Sequence, residues 1–376
     1  MHSQRPSMSS TPDQSTRRLW KKLLLIPAGL AAGLVIGWGA IEAWDATSPR
    51  PRRITAEDYS TVRFMLDDNY TERGLYLFDE QIGYRFKPNN SGIRHQTDDS
   101  PHLTNSLGLL GGRELDPDPA VRKVLVLGDS VTYGDGIPFD AIFVSRMQDI
   151  AGPELQLVNG ACPGWNLEQQ IGFYEAYVER AGWNAVVFCL CLNDFVEFGW
   201  AATSQGNFDW MMLESVSTFD RLRLKYTRSR FQSSKETGPL FRHDDACMLS
   251  WQSGRVASCL REHLSPFLKS SSRPPVIVVL LPSRYQFDAL GRGAPTETAL
   301  SPQHQVNNFC TAHGIACLDA VELLTQVDEP FPESSDIFLA GDALHFNDAG
   351  HARLAEALWP ALREELSAST GDERSE

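Results

Sequence analysis

The sequence has little positive charge. Its 34 lysines and arginines stand against 48 aspartates and glutamates, so the 376-residue chain has a formal net charge of −14. The sequence also has no basic stripe interleaved with aromatic residues, which is the usual footprint of a nucleic-acid-binding surface. Nucleic acid is therefore not expected as a partner, and the acidic balance bears on solubility rather than on substrate.

The motifs of several cofactor classes are also missing. The sequence contains no phosphate-binding loop and no dinucleotide fingerprint, and no Cys/His spacing fits a zinc site. His345 and His351 form a close histidine pair, but His351 fits the first turns of a final helix. We therefore expect neither a cofactor nor a metal.

Only one long run lacks charge, and it lies near the N-terminus. Leu23 to Ile41 reads LLLIPAGLAAGLVIGWGAI, and about 20 apolar residues span a bilayer as a helix. Basic residues precede the run and tryptophans lie near its ends: Arg17, Arg18, Lys21 and Lys22; Trp20, Trp38 and Trp44. We predict a transmembrane signal anchor at 23–43 that holds the rest of the chain outside the cytoplasm, in the periplasm or at the cell surface. Arginines at 50, 52 and 53 oppose this interpretation, and a cleaved signal peptide or a buried core helix are the alternatives.

Cysteines number seven, which is an odd count. Cys189 and Cys191 lie two apart on a predicted strand, so they share a face and fit a core. Two other pairs flank short turns: Cys310 with Cys317, and Cys247 with Cys259. Either pair could form a disulfide in an oxidising compartment, which leaves Cys162 over, and the sequence cannot fix the pairing.

The stretch around which the chain is organised is Val124 to Gly136, VLVLGDSVTYGDG. A buried-strand run ends abruptly at Gly128, and Asp129 and Ser130 follow. Open α/β sheets bind ligands at the carboxyl ends of their strands, so Ser130 is the candidate nucleophile. The alternative is that Gly-Asp-Ser forms an ordinary turn.

A base for this serine lies far downstream. Asp342 and His345 are separated by two residues, just before a helix-like run from Asp348 to Leu366. A serine hydroxyl needs an adjacent base, which is usually a histidine held in its working tautomer by a third group. One short loop would present both side chains to the strand ends.

Candidate oxyanion donors fall between these two motifs. Asn159 to Gly164 (NGACPG) follows a strand-like segment, and Asn193-Asp194 follows another. A glycine N–H and an asparagine amide are both suitable donors for a developing oxyanion. Because all these segments follow predicted strands or form a late loop, they should share one edge of a parallel sheet.

The blocks GDS, N-x-x-x-x-G, ND and D-x-x-H, in this order, resemble the SGNH hydrolases, also called GDSL-type esterases. The resemblance covers about residues 123–366 and implies Ser130 as nucleophile and first oxyanion donor. It implies Gly164 and Asn193 as further donors, His345 as base and Asp342 as its orienting partner.

Three positions depart from the family pattern: Val131 after GDS, Leu192 before the block asparagine, and Cys162 in the oxyanion loop. The rival α/β-hydrolase elbow is disfavoured because it requires glycine where Thr132 stands. The lead-in text YLFDEQIGYRFKPN…TNSLGLLGGREL resembles membrane-anchored, bacterial members of the family.

Strands alternate with helices after residue 120, which predicts an α/β fold: a three-layer α/β/α sandwich with a central parallel sheet, flavodoxin-like. The expected strands are Val121–Leu127, Leu155–Val158, Ala185–Leu192, Pro275–Leu281 and Ile315–Leu318. The expected helices lie near 141–150, 167–181, 253–269, 302–313 and 348–366. The predicted organisation is a disordered N-terminus (1–22), the anchor, a linker and lead-in packed on the catalytic domain (44–120), the catalytic domain (121–368) and a disordered tail (369–376).

An insert at about 195–247 interrupts the alternation directly after Asn193. It contains Trp200 and Trp210, and a basic segment from Arg221 to Arg230 follows. One interpretation is a lid whose aromatic residues bind sugar rings or acyl chains; the other is a small satellite core with a solvated basic helix. A third possibility is that the basic segment contacts anionic lipid.

These features predict a serine esterase acting on acyl esters, in particular O-acetyl esters, of a carbohydrate or lipid. Two alternatives stay open: an O-acyltransferase acting on an exported polysaccharide, and a non-catalytic glycan-binding or assembly protein. With an ordinary His345, activity should fall below a pH of about 6.5.

Overall fold

The computed structural model describes residues 29, 33, 36–40, 43, 75–79, 81–91, 93–94, 101–195, 198–202, 208–212, 254–270, 272–291, 293–327 and 333–369. The chain divides into two compact units, Met1–Arg50 with Val216–Arg223, and Pro51–Ser215 with Leu224–Glu376. Of the first unit, only helical positions between 29 and 43 are described. Most of the predicted anchor and the basic segment lie outside the described residues. Among those that are described, no helix has the length and apolar character needed to cross a membrane.

The strands that the structure describes, in chain order, are β1 (Tyr76–Asp79), β2 (Gly83–Phe86), β3 (Ile93–Arg94), β4 (Pro101–His102), β5 (Arg122–Gly128), β6 (Leu155–Asn159), β7 (Ala185–Leu190), β8 (Phe198–Ala202), β9 (Phe208–Met212), β10 (Val276–Leu280) and β11 (Ala316–Asp319).

The α-helices of the second unit are α1 (Ser130–Tyr133), α2 (Phe143–Ala151), α3 (Leu167–Phe173), α4 (Arg255–Cys259), α5 (Ser265–Leu268), α6 (Arg284–Gly291), α7 (Thr296–Ala299), α8 (Ser301–His313), α9 (Ala320–Val327) and α10 (Asp348–Ala368). A π-helical segment, Tyr174–Val178, continues α3, and another, Leu260–Leu264, joins α4 to α5.

Five strands form the central parallel sheet, in the order β11-β10-β7-β5-β6. The first strand of this sheet along the chain, β5, thus lies between the second and the third, which is the flavodoxin-like strand order. In that order the connections reverse direction between β5 and β7, and ligands bind in the crevice beyond the carboxyl ends of those strands. The predicted central parallel sheet is confirmed, and its strand ends agree with the sequence prediction to within two residues.

Both faces of the central strands β5, β7 and β10 are covered, and the edge strand β11 is half-buried. Successive residues of a strand point to opposite faces, and on β5 Val124 and Val126 enter one apolar core while Leu125 and Leu127 enter the other. Helices α2, α6, α9 and α10 contribute to the first core, and α3, α4, α5 and α8 to the second. Coverage of both faces explains why these strands are runs of apolar residues rather than alternating polar and apolar ones.

Several short elements were not expected from the sequence. They are α1, α6, α7, α9 and the two-stranded sheets β3–β4 and β8–β9. Each is too short to show a clear helical or alternating pattern of apolar residues in the sequence. The longer helices start where predicted, and the side chain of Asn166 caps α3 by accepting a hydrogen bond from the Gln169 N–H.

The cysteines that the structure describes, Cys162, Cys189, Cys191, Cys259, Cys310 and Cys317, form no disulfide. Cys189 and Cys191 are both buried in the first core, as predicted from their shared strand face. Cys247 lies outside the described residues, so the possible pairing of Cys247 with Cys259 stays untested.

Gly350→Ala should destabilise the fold because Gly350, in the first turn of α10, packs against backbone. A Cβ added there would lie 2.1 Å from the Ile337 carbonyl oxygen, and overpacking of this kind costs about 1 to 3 kcal/mol. Urea unfolding measures the change in the free energy of unfolding. Gly291→Ala is the control, since a Cβ there meets nothing within 4 Å, and equal stability of the two variants would contradict the prediction.

Candidate active site

Ser130 lies at the turn from β5 into α1. Asp129 is the N-cap of α1, and its side chain accepts a hydrogen bond from the Val131 N–H at 2.9 Å. Gly128 permits the sharp turn, because a Cβ at this position would lie 2.2 Å from the Thr132 Oγ1. Ser130 is therefore the first residue of a helix at the carboxyl end of β5, beside the point where the sheet connections reverse.

A chain of two hydrogen bonds links Ser130 to the loop before α10 that carries Asp342 and His345. His345 Nε2 lies 2.8 Å from Ser130 Oγ, and His345 Nδ1 lies 2.8 Å from Asp342 Oδ2. An ionised carboxylate only accepts hydrogen bonds, so Nδ1 carries the proton of the neutral imidazole and Nε2 accepts from the serine hydroxyl. The structure thus brings together three residues that the sequence analysis selected.

The loop that carries His345 is held by its own hydrogen bonds. Asp342 Oδ1 accepts from the N–H groups of Leu344 at 2.7 Å and His345 at 2.9 Å. The Leu339 N–H donates to the His345 carbonyl at 2.9 Å. The Asp342 carboxylate therefore orients both the imidazole and the backbone that bears it.

The electrostatics of Asp342 and His345 favour the ionised carboxylate and raise the affinity of the imidazole for a proton. Burial opposes ionisation of Asp342, but its hydrogen bonds with His345 and the attraction of that residue lower the pKa of Asp342 to about 2. Burial alone would lower the pKa of His345 below 6.5; the hydrogen bond and charge of Asp342, with the charges of Asp129 and Asp135, raise it instead. The expectation of an ordinary His345 pKa is replaced by a raised one.

Asn193 is held by a buried carboxylate. It lies in a 3₁₀ turn, Leu192–Phe195, directly after β7, and its Nδ2 donates to Asp129 Oδ2 at 2.9 Å. Because a carboxylate only accepts, the nitrogen of the Asn193 amide must face Asp129, and the oxygen cannot. No role for Asp129 was predicted from the sequence, although an aspartate directly before a helix is a recognisable N-cap signal.

Asp194 stabilises the same turn from the other side. Its Oδ2 accepts from the Cys191 N–H at 2.9 Å and from Gln170 Nε2 at 3.1 Å, so its role is structural. Burial and the nearby charge of Asp129 raise the pKa of Asp194 well above 3.8. Burial also raises the pKa of Asp129, although hydrogen bonds from Asn193 and Val131 oppose that shift.

Gly164 belongs to residues 160–166 between β6 and α3, which we call the oxyanion loop after the predicted role of Gly164. Its φ is +76°, a left-handed conformation that favours glycine. The loop is joined to the end of β5, since the Cys162 N–H donates to the Gly128 carbonyl at 3.1 Å. Cys162 is fully buried and burial raises the pKa of its thiol well above 9.0, so it is a core residue of the loop rather than a second nucleophile.

Trp200 and Trp210 are partners in the antiparallel pair β8–β9. This pair of strands follows the Asn193 turn in the chain, at the predicted start of the insert. A contribution of the two tryptophans to substrate binding stays a prediction.

In the part of the chain that the structure describes, no group of three or more His, Cys, Asp or Glu side chains could hold a metal ion. His351 lies in α10, where its Nδ1 accepts from the Phe143 N–H at 3.2 Å. Burial, with the charges of Arg146 and His345, lowers the pKa of His351 to about 3. His351 is therefore a neutral core residue.

The GDSL-like Lipase/Acylhydrolase family matches residues 126–353. Similar solved structures include a member of the lipolytic protein G-D-S-L family from Veillonella parvula, at 14% identity over 65% of this chain and 99% of that chain, with a TM-score of 0.39. A lipase/acylhydrolase from Enterococcus faecalis has 15% identity over 65% and 96%, with a TM-score of 0.37.

A carbohydrate acetylesterase family member from Sinorhizobium meliloti is similar at 13% identity, over 66% of this chain and 100% of that chain, with a TM-score of 0.36. Among curated proteins none matches the chain at a significant level.

The raised pKa of His345 predicts the pH dependence of kcat/KM. Only the neutral imidazole can accept the serine proton, so activity falls as the pH drops through the pKa of the free enzyme. We expect the midpoint of this fall above 6.5, measured with an aryl acetate. Asp342→Asn should move the midpoint to lower pH and reduce kcat by about 10³ to 10⁴.

Asp348→Asn is the matched control for that experiment, since it removes an exposed carboxylate that pairs with Arg146. It should leave the midpoint in place. A wild-type midpoint at or below 6.5 would contradict the prediction.

Asn193→Ala should lower kcat by about 10² to 10³ with little change in KM, because an oxyanion donor acts mainly in the transition state. Steady-state kinetics on an aryl acetate measure both constants. Asn184→Ala is the control: its Oδ1 accepts from the Lys123 N–H at 2.8 Å, at the opposite end of β5. Normal turnover of the Asn193 variant would exclude Asn193 as an oxyanion donor.

Proposed function

Because this chain belongs to the GDSL-like lipase/acylhydrolase family and is thus an ester-bond hydrolase, we propose that it is a serine esterase. In this proposal it removes acyl groups, in particular O-acetyl groups, from a carbohydrate or a lipid through an acyl-serine intermediate. The observation that carries the proposal is the continuous hydrogen-bonded chain Ser130–His345–Asp342, with both heavy-atom distances at 2.8 Å.

The first step is acylation of Ser130. His345 Nε2 takes the proton of the Ser130 hydroxyl as Oγ forms a bond to the carbonyl carbon of the ester. The imidazolium that results is stabilised by the Asp342 carboxylate, whose low pKa keeps it ionised. His345 then gives the proton to the alkoxide of the departing alcohol, and the acyl group stays on Oγ.

The second step is deacylation, in which water attacks the acyl-serine. His345 removes a proton from water, the hydroxide forms a bond to the acyl carbon, and the carbon–Oγ bond breaks. The proton returns from His345 to Ser130, and the free acid leaves. Water supplies the only new atoms, so no cofactor enters the proposed reaction.

In both steps the carbonyl oxygen becomes negatively charged and needs donors. We assign the N–H groups of Ser130 and Gly164 and the side-chain amide of Asn193 to this task. The hydrogen bond from Asn193 Nδ2 to Asp129 uses one N–H of the amide, so the second N–H remains for the oxyanion. The turn in which Asp194 is buried supports this orientation.

The substrate class is the least constrained part of the proposal. Trp200 and Trp210 come after the Asn193 turn in the chain, on β8 and β9. Tryptophan suits a sugar ring or an acyl chain, because an indole combines a broad apolar face with one polar donor. We therefore place carbohydrate and lipid esters ahead of peptide esters.

Hydrolysis of an aryl acetate by the full-length chain tests the proposal. The wild-type protein should release the phenol, and Ser130→Ala should reduce the rate to background. Ser145→Ala, which removes a hydroxyl on α2, should retain full activity. With a slowly deacylated substrate, mass spectrometry should find one acyl group on the peptide that contains Ser130.

Equal activity of the wild type and Ser130→Ala would exclude Ser130 as the nucleophile. Absence of hydrolysis from acetate through octanoate esters would exclude the esterase. Addition of a sugar acceptor distinguishes a transferase from an esterase, because an alcohol can replace water in the second step. More acylated sugar than free acid would identify the protein as a transferase.

A further inference from the structure

The β1–β2 hairpin contacts the oxyanion loop. The hairpin is formed by residues 76–86, with Tyr76 opposite Phe86 in an antiparallel register. It precedes the segment that matches the family, residues 126–353.

Three hydrogen bonds join the hairpin to the oxyanion loop and the start of α3. The Tyr84 hydroxyl donates to the Pro163 carbonyl at 2.7 Å. In the other direction, Trp165 Nε1 donates to the Tyr84 carbonyl at 3.0 Å and Gln169 Nε2 donates to the Ile82 carbonyl at 2.7 Å. The sequence separation of 79 residues between Tyr84 and Pro163 left no local signal for this contact.

Tight packing surrounds these bonds. Ile82, Tyr84 and Trp165 are all buried in the second core. At Gly172 of α3 an added Cβ would lie 2.6 Å from Ile82 Cγ2, so the hairpin rests directly on the helix. The position of the Tyr84 hydroxyl against the oxyanion loop is therefore fixed by the packing of the hairpin on α3.

The bond from Tyr84 ends on one particular peptide unit. The Pro163 carbonyl and the Gly164 N–H belong to the same planar peptide, in which the C=O and N–H of a trans bond point in opposite directions. Anchoring the carbonyl oxygen on one side therefore fixes the direction of the N–H on the other. That N–H is the one assigned to the oxyanion.

The Pro163–Gly164 peptide is the central peptide of a turn. The Trp165 N–H donates to the Cys162 carbonyl at 3.2 Å, which closes a four-residue turn with Pro163 and Gly164 in the middle. Proline followed by a glycine of positive φ is the pattern of a type II turn, and the type I turn differs by reversal of the central peptide. These residues favour the type II form, but glycine also tolerates the type I form, so a hydrogen bond to the central peptide can strengthen the preference for one orientation.

We propose that Tyr84 is a positioning residue for the reaction: its hydroxyl holds the Pro163–Gly164 peptide in the orientation that presents the Gly164 N–H to the oxyanion. The inference rests on the proposed function, since it assumes that this N–H stabilises an acyl-transfer transition state. It adds the hairpin to the parts of the chain that determine kcat.

Tyr84→Phe removes the hydroxyl and retains the ring. We expect kcat for an aryl acetate to fall about 10-fold with KM changed less than about 2-fold. The loss is smaller than the 10²- to 10³-fold typical of a deleted donor, because the N–H persists and only its orientation is released.

Tyr177→Phe is the matched control. The Tyr177 hydroxyl donates to Asp79 Oδ2, and Asp79 Oδ1 accepts from the N–H groups of Gln81 and Ile82. This variant therefore loosens the same hairpin at its turn and leaves the bond to Pro163 in place. It should lower the melting temperature about as much as Tyr84→Phe and leave kcat unchanged.

A double-mutant cycle tests whether Tyr84 acts through the peptide. Gly164→Ala disfavours the positive φ and should lower kcat by itself. If Tyr84 acts through the same peptide, adding Tyr84→Phe to Gly164→Ala should lower kcat little further. A further 10-fold loss would overturn the inference, as would equal loss of kcat in Tyr84→Phe and Tyr177→Phe, or full kcat in Tyr84→Phe.

Hydrogen exchange separates failure of this inference from failure of the proposed function. Amides of residues 160–166 should exchange faster in Tyr84→Phe than in the wild type, and at the wild-type rate in Tyr177→Phe. If the wild type hydrolyses no ester, the proposed function fails and the exchange comparison alone decides whether Tyr84 orders the loop. Unchanged exchange in Tyr84→Phe would then overturn the inference.

Discussion

The hydrogen bond between Ser130 Oγ and His345 Nε2, 2.8 Å long, joins residues 215 positions apart in the chain. The two residues lie on different elements. Ser130 follows the end of the central strand β5, and His345 lies on a loop held by hydrogen bonds to the Asp342 carboxylate. A proton can pass only over a hydrogen-bond distance, so the whole sheet and α10 must hold these two ends in register. The parallel sheet does this because the carboxyl ends of its strands share one edge.

A second requirement is the burial of carboxyl groups beside this bond. Asp129 and Asp194 are both almost fully buried, which is unfavourable for an ionised group unless hydrogen bonds compensate. The bonds they accept come from Asn193, Val131, Cys191 and Gln170. These same bonds shape the turns that bear Ser130 and Asn193. The negative charge of Asp129 also raises the pKa of His345, so one buried group affects both the geometry and the protonation of the site.

The oxyanion loop depends on parts of the chain that lie outside the catalytic motifs. On one side it is bonded to the end of β5 through Cys162, and on the other it meets the β1–β2 hairpin through Tyr84. The hairpin residues Ile82 and Tyr84 that make this contact are buried, and Ile82 lies against α3. In the proposed role of Tyr84, the hairpin helps to order the loop from this position.

The sequence by itself determined the elements whose signals are local. The apolar runs of β5, β7 and β10 predicted strands buried on both faces, because a strand signal involves only neighbouring residues. The motif order predicted which residues would form the site, including Ser130, Asp342 and His345. Only the tertiary structure decided the burial of Cys162, the direction of the His345 pKa shift, the role of Asp129 and the contact of Tyr84 with Pro163. These depend on desolvation and on charges or hydrogen bonds between residues distant in sequence, and such quantities do not exist until the chain has folded.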